Sequence, residues 1–101
     1  EETFMSDDAV SVAPEVYKVL FENDRVRVLE VRADPGGTSP MHTHPDSVIH
    51  ALSDATLVVT SQGEARTAEL TAGATWWAAE TTHSVENVGT GEVHLIRVEL
   101  K

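Results

Sequence analysis

Charged and apolar residues mostly alternate through residues 25–32 (RVRVLEVR), which is the pattern of a strand with one buried face. Similar short runs fill the rest of the chain. Residues 15–21 (EVYKVLF) read as a strand, and Glu22-Asn23-Asp24 as the turn that follows. Residues 33–37 (ADPGG) form a further turn, leading into a strand that carries His42 and His44. Residues 47–52 and 56–60 are rich in β-branched side chains and are split by Ser53-Asp54. Gln62-Gly63 is a hairpin signal, after which residues 64–70 return. Residues 71–73 turn again, residues 74–78, 83–88 and 93–100 complete the series, and Gly89-Thr90-Gly91 makes the last tight turn. No segment has a helical period. Strands at this spacing, punctuated by turns, predict one all-β domain built as a small antiparallel β-barrel or jelly-roll. Its expected extent is residues 11–101, with residues 1–10 a frayed acidic tail, and no repeat or linker divides it.

Histidine placement carries the chemistry. His42 and His44 are two residues apart on a strand, so their imidazoles share one face. Neutral imidazole is the commonest metal ligand and suits zinc, iron, copper and nickel. An isolated H-x-H is most often a pair of half-exposed histidines on an edge strand. A second segment, residues 73–87 (GATWWAAETTHSVEN), shifts that balance by supplying His83 after an aromatic strand and a short polar turn.

Together the two segments resemble the paired motifs of the cupin superfamily, over residues 17–100, and most closely the small single-domain cupins with an H-x-H-P-D sequence. The first cupin motif is a glycine, H-x-H, a glutamate in the next strand and a closing glycine. The second is a glycine, a strand ending in P-x-G, a histidine and an asparagine. Here the acidic position aligns with Ser47, the closing glycine with Asp54, and P-x-G with Ala79-Glu80-Thr81. The resemblance therefore implies a jelly-roll that holds one divalent metal ion on His42, His44 and His83. The fourth position is empty or is taken by water, Ser47 or substrate. It further implies Fe2+ before Zn2+, Mn2+, Ni2+ or Cu2+, because cupins lacking the glutamate include oxygen-activating iron enzymes that act on chelating substrates. Others are isomerases, lyases or proteins of no known activity.

The physical reading points the same way. Three neutral imidazoles leave a divalent ion its full charge and open positions, and so favour a small, anionic, bidentate organic ligand. Three functions remain open: a metal-dependent dioxygenase, a non-redox zinc or manganese isomerase or lyase, and a small-molecule-binding module without chemistry. No catalytic residue is assigned beyond the ligands.

Composition narrows the partners. The 101 residues carry a net charge of −10, with only Lys18 and Lys101 as lysines, so nucleic acid binding is disfavoured for want of a cationic footprint. No apolar run is long enough to cross a bilayer, no secretory pattern opens the chain, and a cytoplasmic location is expected. Met5 is the expected natural start, with residues 1–4 added ahead of it. With no cysteine, disulfides and thiolate ligands are excluded. The acid-rich surface fits a high-salt habitat as well as an ordinary cytosol.

A domain this small with apolar residues on both faces of several strands cannot cover them alone, so a homodimer is expected. The resemblance adds pairing through sheet faces and exchange of residues 16–21. By parity His50 lies opposite Ser47, Ile49 and Ala51, which makes it a packing or interface residue first and a replacement ligand second. His94 shares the parity of Ile96, Val98 and Leu100 and is expected to be a buried, hydrogen-bonded structural histidine. Trp76 and Trp77 must face opposite sides, one in the core and one toward an interface. Ser84 and Asn87 are expected to satisfy backbone groups, and Asp46, Glu80 and Glu86 to be solvated.

Overall fold

Four ladder rungs explain why the barrel is apolar at one end and polar at the other. The computed structural model describes residues 7–101. These form β1 (Tyr17–Glu22), β2 (Val26–Ala33), β3 (Thr38–His44), β4 (Ser47–Ala51), β5 (Ala55–Ser61), β6 (Glu64–Leu70), β7 (Thr75–Ala78), β8 (Thr81–Asn87) and β9 (Val93–Leu100). One sheet has the order β1-β2-β9-β4-β7 and the other β3-β8-β5-β6, with all the paired strands antiparallel. The expected all-β jelly-roll is therefore the observed fold, and β6 and β9 have the expected bounds. Among the described residues no helix is long and apolar enough to cross a membrane.

On the inner face of the larger sheet, Ala33 pairs with Val93, and Val31 with Leu95 and Ala51 across the next rung. Leu29 then lies beside Arg97 and Ile49, and Arg27 beside Glu99 and Ser47. The apolar members of the first three rungs, with Leu57 and Ala55 from the facing sheet and Tyr17, make most of the core. Leu29 is fully buried. The last two rungs bring charge inside. The β5–β6 hairpin turns at Gln62 and Gly63, with φ of 54° and 79°, the left-handed pair that a two-residue hairpin needs and that glycine accepts without strain.

Two expectations are corrected. Residues 7–10 were placed in the frayed tail, but Ala9–Val12 form one helical turn, α1, capped by the Asp8 carboxylate, which accepts from Val10 N at 3.2 Å. Ala9 and Ala13 are fully buried, and Thr43 N donates to Asp7 O at 2.7 Å, so this segment is docked along β3. Its alanines are small enough to bury, and Asp8 pairs with the half-buried Arg27, which composition alone does not reveal. Residues 1–6, with the proposed start at Met5, lie outside the described residues.

The parity of β9 is also opposite to that expected from its apolar residues. Val93, Leu95, Arg97 and Glu99 face inward, while His94, Ile96, Val98 and Leu100 form the outer face. His94 is thus half-buried outside the barrel, hydrogen-bonded through Nε2 to Glu30 Oε2 at 2.8 Å. The outer face can be the more apolar one because the inner face carries the site.

Candidate metal centre

Strand register assembles the three histidines. His42 on β3 is the direct partner of His83 on β8, and His44 follows two residues on along the same face. The potential ligand nitrogens of the three residues lie within 4.8 Å of one another, and the rings meet edge to face at centroid distances of 4.8, 4.8 and 5.2 Å.

Two of the rings are oriented from behind. His42 Nδ1–H donates to Pro40 O at 2.6 Å, and His44 Nδ1–H donates to Glu99 Oε2 at 2.7 Å. Those bonds assign the tautomers and turn both Nε2 lone pairs inward. His42 Nε2 accepts from the Tyr17 hydroxyl at 3.0 Å. The Nε2 atoms of His44 and His83 are buried and have no hydrogen-bond partner among the described residues. Leaving a buried polar atom unbonded costs about 1–3 kcal/mol, which a protein rarely bears without a use for it.

Burial also sets protonation. Desolvation pushes all three imidazoles below their ordinary range, His44 to about 2 and His83 to about 3, with the neighbouring Arg97 cation acting in the same direction. All three are therefore neutral near pH 7, the form that binds metal. An ion at about 2.1 Å from each nitrogen needs the nitrogens roughly 3 Å apart, so closing on it takes small ring rotations and the exchange of the Tyr17 bond at His42. The donor set fits a divalent cation.

Behind the ligands runs a chain of charge. Glu99, 2% exposed, accepts from Arg27 Nε at 2.9 Å while holding His44, and Arg27 in turn reaches Asp8 at 2.6 Å. Burial pushes the Glu99 carboxyl up, and Arg27 opposes that shift. Ser47, the position that aligns with the cupin acidic ligand, is committed elsewhere: its hydroxyl donates to Pro45 O at 2.7 Å and accepts from Arg97 Nε at 3.1 Å. Its ladder partner is Glu99, so the nearest carboxylate stands one strand over, on the Nδ1 side of His44.

His83 opens onto a cavity of about 680 Å³ inside the barrel, lined also by Tyr17 and Arg97 and by Leu57, Trp76 and Val85 among its apolar walls, while His42 and His44 are fully buried. Of the other candidates, His50 and Asp46 lie outside its lining, whereas Trp77, Glu80 and Asn87 contribute to it. His50 is half-buried on the opposite sheet face, with Nδ1 bonded to Thr75 Oγ1 at 2.6 Å. Trp77 is 56% exposed on that same outer face. Asn87 holds the β8 turn through Ala33 O, Gly91 O and Gly89 N, and Asp46 accepts from Glu80 N.

Sequence reading missed Tyr17, Arg27, Arg97 and Glu99. A signal existed in β9, where Arg97 and Glu99 share a parity with Val93 and Leu95. Two opposite charges among core residues of one strand mark a buried polar site.

No protein-family model matches the chain, and neither does any curated protein. Solved structures do. A cupin domain from Bordetella pertussis Tohama I has 30% sequence identity and a TM-score of 0.80, over 85% of this chain and 92% of that one. KdgF from a Halomonas species aligns with a TM-score of 0.58 at 19% identity, over 83% and 76% of the two chains. A predicted oxalate decarboxylase from Thermotoga maritima gives 0.58 at 19%, over 84% and 79%, and these last two speak to the fold alone. The chain belongs to the cupins, and its barrel holds a three-histidine cluster able to bind a metal ion.

Proposed function

We propose that this cupin is a small mononuclear metal enzyme that holds one divalent ion on His42, His44 and His83 and acts on a small chelating organic molecule, with Fe(II)-dependent dioxygenation as the leading reaction. The observation that carries the reading is the pair of buried, unbonded Nε2 atoms facing a third across one strand pair. A bound ion would supply Lewis acidity and, if iron, oxygen chemistry. The residues do the rest: Glu99 and Pro40 fix two imidazoles, and the cavity walls offer an apolar surface to the body of a substrate.

One observation favours a non-redox alternative, an isomerase or lyase using zinc or manganese. The Tyr17 hydroxyl stands at the triad, 5% exposed, where it is placed to donate a hydrogen bond to a substrate oxygen. Tag-free protein purified without oxygen should contain about one equivalent of metal. His42→Ala together with His44→Ala should abolish that, and His50→Ala should leave it intact. Iron, with substrate-dependent oxygen uptake lost in His83→Ala, supports the first reading; turnover without oxygen supports the second. Protein that stays far below stoichiometry after reloading with iron, zinc, manganese, nickel or copper overturns both.

The proposed working unit is a cytoplasmic homodimer. On the outer face of the larger sheet Phe21, Val28, Val98, Val48 and Trp77 are successive ladder partners, an apolar row across all five strands. Its two ends, Phe21 and Trp77, are 55% and 56% exposed. A second copy is the expected cover for such a row. Sedimentation at micromolar concentration should give a dimer, and Val98→Glu a monomer that retains the metal; a monomeric wild type would contradict the assignment.

A further inference from the structure

We infer that Arg97 is the substrate-recognition residue of the cavity and that the molecule it selects is a small organic acid, its carboxylate on the guanidinium and its apolar body against the barrel wall. This deepens the proposed function, and it rests on that reading for the part of the ligand that would chelate the metal.

Arg97 is an unusual cation. Its residue is 6% exposed, it projects from the inner face of β9 into the cavity, and among the described residues no carboxylate lies within ion-pair distance of it. The one acidic group on its own face, Glu99, is engaged by Arg27 and His44. Arg97 Nε is held by Ser47, whose hydroxyl is itself fixed by Pro45, so the guanidinium plane is anchored at one corner. Its Nη2 is buried with no hydrogen-bond partner among the described residues.

A buried charge without a counter-ion is costly, and a guanidinium cannot escape by losing its proton at neutral pH. Replacing Arg97 by an apolar residue of the same length would be the cheaper core, so stability gives no account of it. An anion does. The planar fork of donors matches a carboxylate, and the low dielectric of the barrel strengthens that contact. The protein as a whole carries −10, so this interior pairing is selective against the surface field rather than a consequence of it.

The remaining lining defines the rest of the molecule. Val31, Ile49, Leu57 and Leu95 give the cavity an aliphatic wall and Trp76 an aromatic one with a single indole donor. His83 and Tyr17 line it together with Arg97, and Glu64, Arg66 and Glu80 also contribute. An acid with a second oxygen next to its carboxylate and an aliphatic or aromatic body satisfies each surface. A polyhydroxylated sugar would strand polar groups against the aliphatic wall.

Phenylpyruvate and its neutral amide differ only in the group that Arg97 should read. Calorimetric titration of the full-length protein, metal-free and zinc-loaded, should show the acid binding about tenfold or more tightly than the amide. Arg97→Met should erase that preference, and Arg97→Lys, a point charge without the fork, should keep part of it. Trp76 fluorescence, read in a Trp77→Phe background, should report the same ranking from inside the cavity. Equal binding of acid and amide by the wild type, an unchanged preference in Arg97→Met, or no detectable binding of phenylpyruvate by either form overturns the proposal. The comparison of acid with amide needs no variant, so misfolding cannot obscure it. If zinc adds nothing but the acid preference holds in the metal-free protein, the metal reading fails and Arg97 stands. If zinc binds stoichiometrically and the preference is absent, the reverse is true.

Discussion

His44→Ala should leave a protein with no stoichiometric metal, while Glu99→Gln should still bind one equivalent but about 10- to 100-fold more weakly. The difference follows from where each group stands. His44 offers the Nε2 atom that would bond the ion, so its removal deletes a ligand from a set of three. Glu99 touches only the far side of the ring, at Nδ1, 2.7 Å away. There it fixes the tautomer, aims the imidazole and raises the basicity of Nε2 through its charge. Glutamine keeps the shape and loses the charge, so the ring is still supported but is a poorer donor.

Stability should respond in a second, separable way. Arg27 keeps Asp8 when Glu99 is neutralised, so the loss should fall below the roughly 3–5 kcal/mol of a buried pair broken outright. Asp8→Asn combined with Glu99→Gln strands Arg27 and should reach that range. Competition against a zinc chelator measures the first effect and urea denaturation of the metal-free protein the second. Wild-type zinc affinity in Glu99→Gln would show that the carboxylate does not tune His44.

The strands were legible because each rests on local alternation and turn chemistry, which the sequence displays directly. β2 and β9 alternate visibly, and Gln62-Gly63 marks its hairpin. The H-x-H pair was legible for the same reason, since strand geometry alone puts His42 and His44 on one face. His83 needed the family resemblance, because only the register between β3 and β8 makes it the partner of His42. The supporting residues were hidden by a rule that usually works. In β9 the more apolar parity, Ile96, Val98 and Leu100, reads as the core side, yet those residues form the outer row with Val48 and Trp77. The inner face could afford Arg97 and Glu99 because it builds a site, and an apolar outer face is tolerable if a second subunit covers it. The role of Asp8 was hidden differently: nothing local in an acidic leader indicates that one carboxylate in it pairs with Arg27 across 19 residues of chain.

Metal-free protein should lose stability steeply as the pH falls from about 7 to about 5, and the loaded protein much less so. The direction follows from the imidazoles. His42, His44 and His83 sit below the ordinary value of 6.5 in the folded state, mainly through desolvation, the last two at about 2 and about 3. Once unfolded, each takes up a proton near 6.5. The unfolded chain therefore binds more protons than the folded one throughout the interval between those values, and unfolding free energy rises with pH across it. The stabilisation is whole above about pH 6.5 and is lost progressively below. His44 and His83 alone give a limiting slope of about 2.7 kcal/mol per pH unit, to which His42 adds in the same direction, large beside the roughly 5–15 kcal/mol that holds a small domain together. Partial solvation of His83 and the raised Glu99 carboxyl, which takes up a proton in the folded state, both reduce it. Metal bound to the folded form adds stability according to its concentration over its dissociation constant, about 2.7 kcal/mol at a hundredfold excess. Because folded His44 and His83 stay neutral at pH 5 and His42 is shifted in the same direction, zinc affinity should fall less from pH 7 to pH 5 than that of an exposed histidine site. Urea midpoints of the metal-free protein at the two pH values, with and without zinc, test all of this. A midpoint that does not move between them without metal would mean that the three imidazoles are not held neutral by burial.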